Sequence, residues 1–213
     1  MDLYFSPLSC AMATRISLYE SDISANFLEV DPKTKRLVGD GADYRAIYAL
    51  GMVPALRTDD GQLLTENAAI LQYVADRRPE SGLAPADPLE RTRLHQWLCF
   101  IGTELHKGLF VPLLGKNTPP EMKAYVLANN LSRLAFLDKY LTGREFLLDH
   151  FTVADAYLTT VLNWTQVIPA IDMSLYPAVA AYLARHRQRA SVARAMSEEF
   201  GLWQAELARH KAA

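Results

Sequence analysis

Gly51-Met52-Val53-Pro54-Ala55-Leu56, followed after a turn by Thr65-Glu66-Asn67, reads as a short strand, a hairpin, a second strand and a helix start. Val53 precedes a proline and is therefore held extended, and an X-Pro bond is the one kind of peptide bond that readily turns cis. Asp60-Gly61, between two apolar runs, is a hairpin turn signal. Thr65-Glu66-Asn67 places a hydroxyl, a carboxylate and an amide at the start of the amphipathic run Ala68 to Ala75. A helix start carries unpaired backbone N–H groups and a partial positive charge, which suits a ligand carboxylate. Glu66 beside it could hold an ammonium, so a small zwitterion is the matching guest. Plain helix capping by Thr65 or Asn67 is the other reading of the same residues.

Before this stretch, Leu3-Tyr4-Phe5 is a β-prone run closed by Ser6-Pro7, and Ser9 to Glu20 turns helical with Met12, Ile16 and Tyr19 on one face. Phe27 to Val30 is a second strand, so the first two strands should be parallel with a right-handed crossover. A polar, basic loop spans 32–41, a weak helical turn 44–48, two strands 53–57 and 62–65, and a helix 67–77. The order βαβαββα is thioredoxin-like: a four-stranded mixed sheet with helices on both faces. Residues 80–88, rich in Pro, Gly and Ser, read as a linker. Beyond them strand signals stop, and 89–108, 120–141, 153–166 and 177–187 show helical periodicity, with 191–210 weaker. The expected organisation is an α/β domain over 1–79 and an all-helical domain over 89–213. Thr152-Val153-Ala154-Asp155 has capping-box spacing, with Phe151 as a staple whose partner, Ala156, is small.

Half of the 213 residues are apolar, which is enough to bury a core, and the formal charge of -2 mixes both signs. That balance gives no electrostatic case for nucleic acid or an anionic membrane. No apolar run approaches a membrane span, and the N-terminus lacks the pattern of a signal peptide. Cys10 and Cys99 are no disulfide framework, so a reducing cytoplasm is the expected setting.

Cys10 falls after a strand, at the first turn of a helix, where the backbone favours the thiolate. No second cysteine stands at C-x-x-C spacing, so redox chemistry there would need an outside thiol. Equally, Cys10 could be a small buried apolar residue. In the helix 89–108, Leu94, Trp97, Leu98, Ile101 and Leu105 form a core stripe. Cys99, Thr103 and His106 fall at i, i+4, i+7 on a different face, polar but uncharged, as in a cleft wall. His106 could hold a proton or a hydrogen bond near a thiolate, whereas a lone histidine is more often a satisfied one. Two cysteines and one histidine without close-set pairs argue against zinc. Lys33, Lys35 and Arg36 read as a solvated basic loop from which one side chain could meet a second ligand carboxylate.

Tyr4-Phe5-Ser6-Pro7 with Cys10, Lys35, Met52-Val53-Pro54, Leu64-Thr65-Glu66, Ala69 to Asp76, Gln96-Trp97-Leu98, Glu104-Leu105-His106-Lys107 and Thr152 to Tyr157 together resemble the cytosolic glutathione transferases, and within them the bacterial beta class. The resemblance implies a glutathione site. Val53 would pair its backbone with the cysteinyl part beside a cis Pro54, Glu66 and Asn67 would hold the γ-glutamyl group, and Lys35 would meet the glycyl carboxylate. Cys10 and His106 would lie near the glutathione sulfur, with Lys107 nearby. Thr103 and Glu104 would reach the site of the other subunit of a homodimer, with Cys99 beside them. Cys99 stands where such proteins often have Asn, and Phe5 where Tyr is common. Leu109 to Lys116 and Trp164 to Ile168, apolar and aromatic, suit a hydrophobic electrophile. The resemblance thus implies conjugation of glutathione as co-substrate, without a metal. Thiol-disulfide exchange through Cys10 is the second reading and a non-catalytic binding role the third.

Overall fold

The computed structural model describes residues 1–212. The chain divides into two compact units, Met1–Leu83 with the segment from Ala190 onward, and Ala84–Arg189.

In the first unit, β1 (Asp2–Phe5), α1 (Met12–Glu20), β2 (Asn26–Glu29), β3 (Ala55–Arg57), β4 (Leu63–Thr65) and α2 (Asn67–Arg77) follow the expected order. The sheet runs β2-β1-β3-β4. β1 pairs parallel with β2 (Leu3 opposite Phe27) and antiparallel with β3 (Leu3 opposite Leu56). β1 alternates its side chains as a strand must. Leu3 and Phe5 join Ala11, Leu18, Leu56, Ile70 and Val74 under α1 and α2, while Tyr4 packs on the other face with Val30, Tyr44 and Ala55. The helix expected on that second face is a single 3₁₀ turn, Tyr44–Ala46, with Asp43 accepting the Arg45 N–H. The hairpin closes at Gly61, whose φ of 85° suits a residue without Cβ.

The last helix, α9 (Ala190–Ala212), departs from the expected division. The sequence reading placed it in the helical domain; the structure groups it with the sheet. The cause is polar. Arg15 of α1, nearly fully buried, pairs with Glu199 at 2.9 Å and Glu198 at 3.1 Å. Sheet on one side and α9 on the other explain why Met12 to Leu18 are all buried, not one face alone.

The second unit is helical. α3 (Pro88–Phe100) continues through a π-helical stretch, Ile101–Phe110, into α4 (Val111–Leu114). Asp87 caps its start by accepting the Leu89 and Glu90 N–H groups, with Pro88 at the first helical position. The expected helix 120–141 is two, α5 (Pro120–Asn130) and α6 (Ser132–Leu141): Leu131 keeps helical angles while the hydrogen-bond ladder is interrupted. α7 (Val153–Leu162) and α8 (Pro177–Arg187) complete the unit. α7 starts at the capping box, with Thr152 N–H donating to Asp155 Oδ2 at 2.8 Å. The Phe151 ring stacks on His186 and lies under the Arg189 guanidinium.

Candidate active site

The first unit gathers five of the expected ligand-binding positions, with Cys10, at one end of the sheet. Ser6-Pro7-Leu8-Ser9 turns the chain out of β1, and Met12 N–H and Ala13 N–H bond back to the Ser9 and Cys10 carbonyls at the start of α1. Cys10 is 8% exposed, and its thiol donates to the Val53 carbonyl at 3.4 Å. Val53-Pro54 is cis. β3 and β4 pair Ala55 with Thr65, which brings Glu66 alongside Pro54.

Glu66 has φ 66° and ψ 114°, an angle pair that a side chain other than glycine's adopts at a cost, and its side chain is exposed. Asn67 behind it is 6% exposed; its Oδ1 accepts from the Thr14 hydroxyl at 3.2 Å, and its Nδ2 has no protein partner. A buried amide N–H without a partner is uncommon and marks a position where an external acceptor would be welcome. Lys35 also has positive φ (59°), and its stem runs close to Gly51, where an added Cβ would sit 3.5 Å from Lys35 Cδ. Gly51 (φ 60°) thus places Lys35 close to the Met52-Val53-Pro54 turn.

The loop carrying Lys35 is held from α9. Asp31 accepts the Lys33 and Thr34 N–H groups at 2.9 and 2.8 Å and His210 Nε2 at 2.8 Å. Burial pushes the Asp31 carboxyl up, but the hydrogen bonds from Thr34, His210 and Lys33 outweigh it and bring it down to about 2. Arg209 adds an ion pair to Glu29. Sequence reasoning missed this clamp, because its halves lie 179 residues apart in the chain.

In the second unit, Leu94, Trp97, Leu98, Ile101 and Leu105 are buried as expected. Cys99, Thr103 and His106 do not share a face. Cys99 and Thr103 are exposed, with the Thr103 hydroxyl donating to the Cys99 carbonyl at 3.0 Å, whereas His106 is buried. The i, i+4, i+7 spacing presumes an α-helix, and beyond Ile101 the looser i→i+5 register turns His106 inward with Leu105, Leu109 and Phe110. His106 Nδ1 lies 2.7 Å from the Tyr157 hydroxyl, and its ring sits 5.1 Å from that of Trp164, which in turn meets Phe110 at 5.8 Å. Burial, with Lys107 adding repulsion, lowers His106 to about 4, so the imidazole is neutral at pH 7. Glu104 is engaged within its own chain, accepting from Arg133 Nε at 3.0 Å, and Lys107 is exposed. Among the described residues no three His, Cys, Asp or Glu side chains converge as a metal site.

A thioredoxin-like sheet with a cis-proline beside a thiol, a helix-start carboxylate and a following helical unit define a glutathione transferase fold. Family models agree: the glutathione S-transferase N-terminal domain matches residues 3–82 and the C-terminal domain residues 132–185. The chain belongs to the glutathione S-transferase family. It is 40% identical over 201 residues to glutathione S-transferase GstA of Escherichia coli O157:H7, covering 93% of this chain and 98% of that protein. Among solved structures it is similar to a sphingomonad glutathione S-transferase complexed with glutathione (42% identity, TM-score 0.88, 93% of this chain and 98% of that one). It is also similar to the bacterial beta class enzyme of Sphingomonas chungbukensis (41% identity, TM-score 0.88, with the same coverage).

Proposed function

We propose that this protein conjugates the thiolate of glutathione to hydrophobic electrophiles. The observation that carries the reading is the cluster in the first unit: Cys10 bonded to the Val53 carbonyl, cis Pro54, Glu66 at positive φ and the unpartnered buried Nδ2 of Asn67. Its donors and acceptors fit a peptide that carries an ammonium, a carboxylate and a thiol. In this reading Val53 pairs with the cysteinyl backbone, Glu66 and Asn67 take the γ-glutamyl ammonium and carboxylate, and Lys35 takes the glycyl carboxylate. The nucleophile is the sulfur of glutathione, ionised by the start of α1. His106 serves as a neutral hydrogen-bond donor rather than a cation, with Trp164, Val111 and Val167 offering apolar surface to an electrophile. Thr103 and Glu104 reach the site of the other subunit in a homodimer, Lys107 lies near the glutathione sulfur with Cys99 beside the site, and the protein works in the cytoplasm. Among the described residues no helix is long and apolar enough to cross a membrane.

Thiol-disulfide exchange is the second reading, favoured by the position of the Cys10 thiol beside Val53 and cis Pro54, where this reading seats the cysteinyl part of glutathione. Here the Cys10 thiolate takes glutathione from a mixed disulfide, releasing the substrate thiol. A second glutathione thiolate then attacks, leaving as glutathione disulfide and freeing Cys10. Two measurements on purified protein separate the readings. Conjugation of an aryl halide that survives Cys10→Ala supports transfer. A reductant-sensitive mass adduct of one glutathione on Cys10, with conjugation lost in Cys10→Ala, supports exchange. Failure to bind glutathione at all removes both.

A further inference from the structure

The loop that delivers Cys10 begins with a turn its residue types do not favour. Ser9 N–H donates to the Ser6 carbonyl at 3.2 Å, with Pro7 second in the turn and Leu8 third at φ 57°. That is the type II pattern, whose third position calls for glycine because a Cβ crowds the backbone at positive φ. Leu8 N–H donates to Glu199 Oε2 at 2.7 Å, and Glu199 Oε1 accepts Arg15 Nε at 2.9 Å. Glu199 has no exposed surface. Arg15 also meets Glu198 and lies over the Phe5 and Phe27 rings, 4.4 and 3.9 Å from their centroids. Glu198 is further bonded to Tyr19 and Arg194.

One buried carboxylate on α9 therefore grips the strained turn with one oxygen and α1 with the other. An apolar side chain would seat α9 on α1 without burying charge. Burial pushes the Glu199 carboxyl up to about 7, against the pull of Arg15 and the Leu8 N–H. Cohesion alone gives little reason for a carboxylate here, whereas an otherwise unfavourable turn two residues before Cys10 does.

We propose that Glu199 is a positioning residue for Cys10: by holding the Leu8 N–H it maintains the turn that sets the thiol against the Val53 carbonyl and limits its accessibility. The proposal rests on the reading of this end of the sheet as the glutathione site and extends that site to the last helix.

The test uses the full-length protein with Cys99→Ser, so that Cys10 is the sole thiol, and follows its alkylation by iodoacetamide from neutral to alkaline pH. Glu199→Ala is expected to raise the Cys10 rate about fivefold or more, because a loosened turn exposes the thiol. Adding Leu8→Gly is expected to bring the rate back to within about twofold of the parent, because glycine holds positive φ unaided. Glu198→Gln, which alters the same network without touching Leu8, should leave the rate unchanged. A role confined to stability predicts instead a lower melting temperature for Glu199→Ala with the parent alkylation rate, or an enhanced rate that Leu8→Gly fails to reverse. Either result overturns the proposal. Should Glu199→Ala not fold, Glu199→Met keeps the volume and removes both acceptors, and a parent rate there overturns it equally. Alkylation does not involve glutathione, so unchanged rates with intact glutathione binding would sink this proposal alone, and absent binding in the parent would sink the functional reading alone.

Discussion

Two polar sites in this molecule are built on opposite terms. At the start of α7 in the second unit, Asp155 is fully buried and every acceptor direction is used. Oδ1 takes Leu147 N–H at 2.9 Å and the Tyr182 hydroxyl at 2.8 Å, while Oδ2 takes Thr152 N–H and its hydroxyl at 2.8 and 2.9 Å. At the end of the sheet in the first unit, Leu8, Lys35 and Glu66 have positive φ, the Asn67 amide lacks a donor's partner, and the Glu66 carboxylate is exposed. Both sites sit at helix starts, where backbone N–H groups need partners. The saturated one locks a fold, and the strained, unsaturated one has bonding capacity left for something from outside.

Removing a partner should therefore cost stability at one site and binding at the other. The largest effect is expected for Asp155→Ala. It strands two N–H groups and two hydroxyls in the core, and urea unfolding should show a loss on the order of 3–5 kcal/mol. A loss within the range of ordinary surface substitutions would erase the contrast.

Acid should find the second unit through His106. Its folded value, about 4, lies below the ordinary 6.5, so the unfolded chain binds the proton more readily. The stability from keeping His106 neutral is complete above about pH 6.5 and falls away as pH drops toward 4, by roughly 3 kcal/mol at most. Unfolding of His106→Asn across this window should show a flatter pH dependence than the parent; identical slopes would mean that the histidine protonates freely in the fold.

The smallest effect on stability, and the sharpest on binding, belongs to Glu66→Gly. Glycine accepts φ 66° without strain, so the melting temperature should hold or rise, by up to about 1 kcal/mol in stability. Glutathione affinity should fall about tenfold or more with the loss of a charge-assisted contact. A parallel loss of both would mean that Glu66 is part of the scaffold.

Much of this was legible in the chain. The change from period two to period 3.6 after the linker marks the two kinds of structure, and the register of β3 and β4 follows from Asp60-Gly61. Thr152 and Asp155 announce the α7 start because a capping box is local. Less legible were features that depend on distant partners or on departures from local rules. Nothing in Pro7-Leu8 signals a positive φ at a leucine, since the carboxylate that supports it comes from Glu199. The last helix reads weakly because its inner face carries Glu199 and Glu206, which disguise it as solvated. The shared face assigned to Cys99, Thr103 and His106 failed because helical spacing presumes one register, and the π stretch changes it midway.

Titration calorimetry of the protein with glutathione at neutral pH, run beside Glu66→Gly, asks whether the strained, unsaturated end of the sheet is where glutathione binds. Saturable heat from the parent and a markedly weaker isotherm for the variant, at an unchanged or higher melting temperature, are expected. Absence of heat from the folded parent, or equal binding by both proteins, would show that it is not.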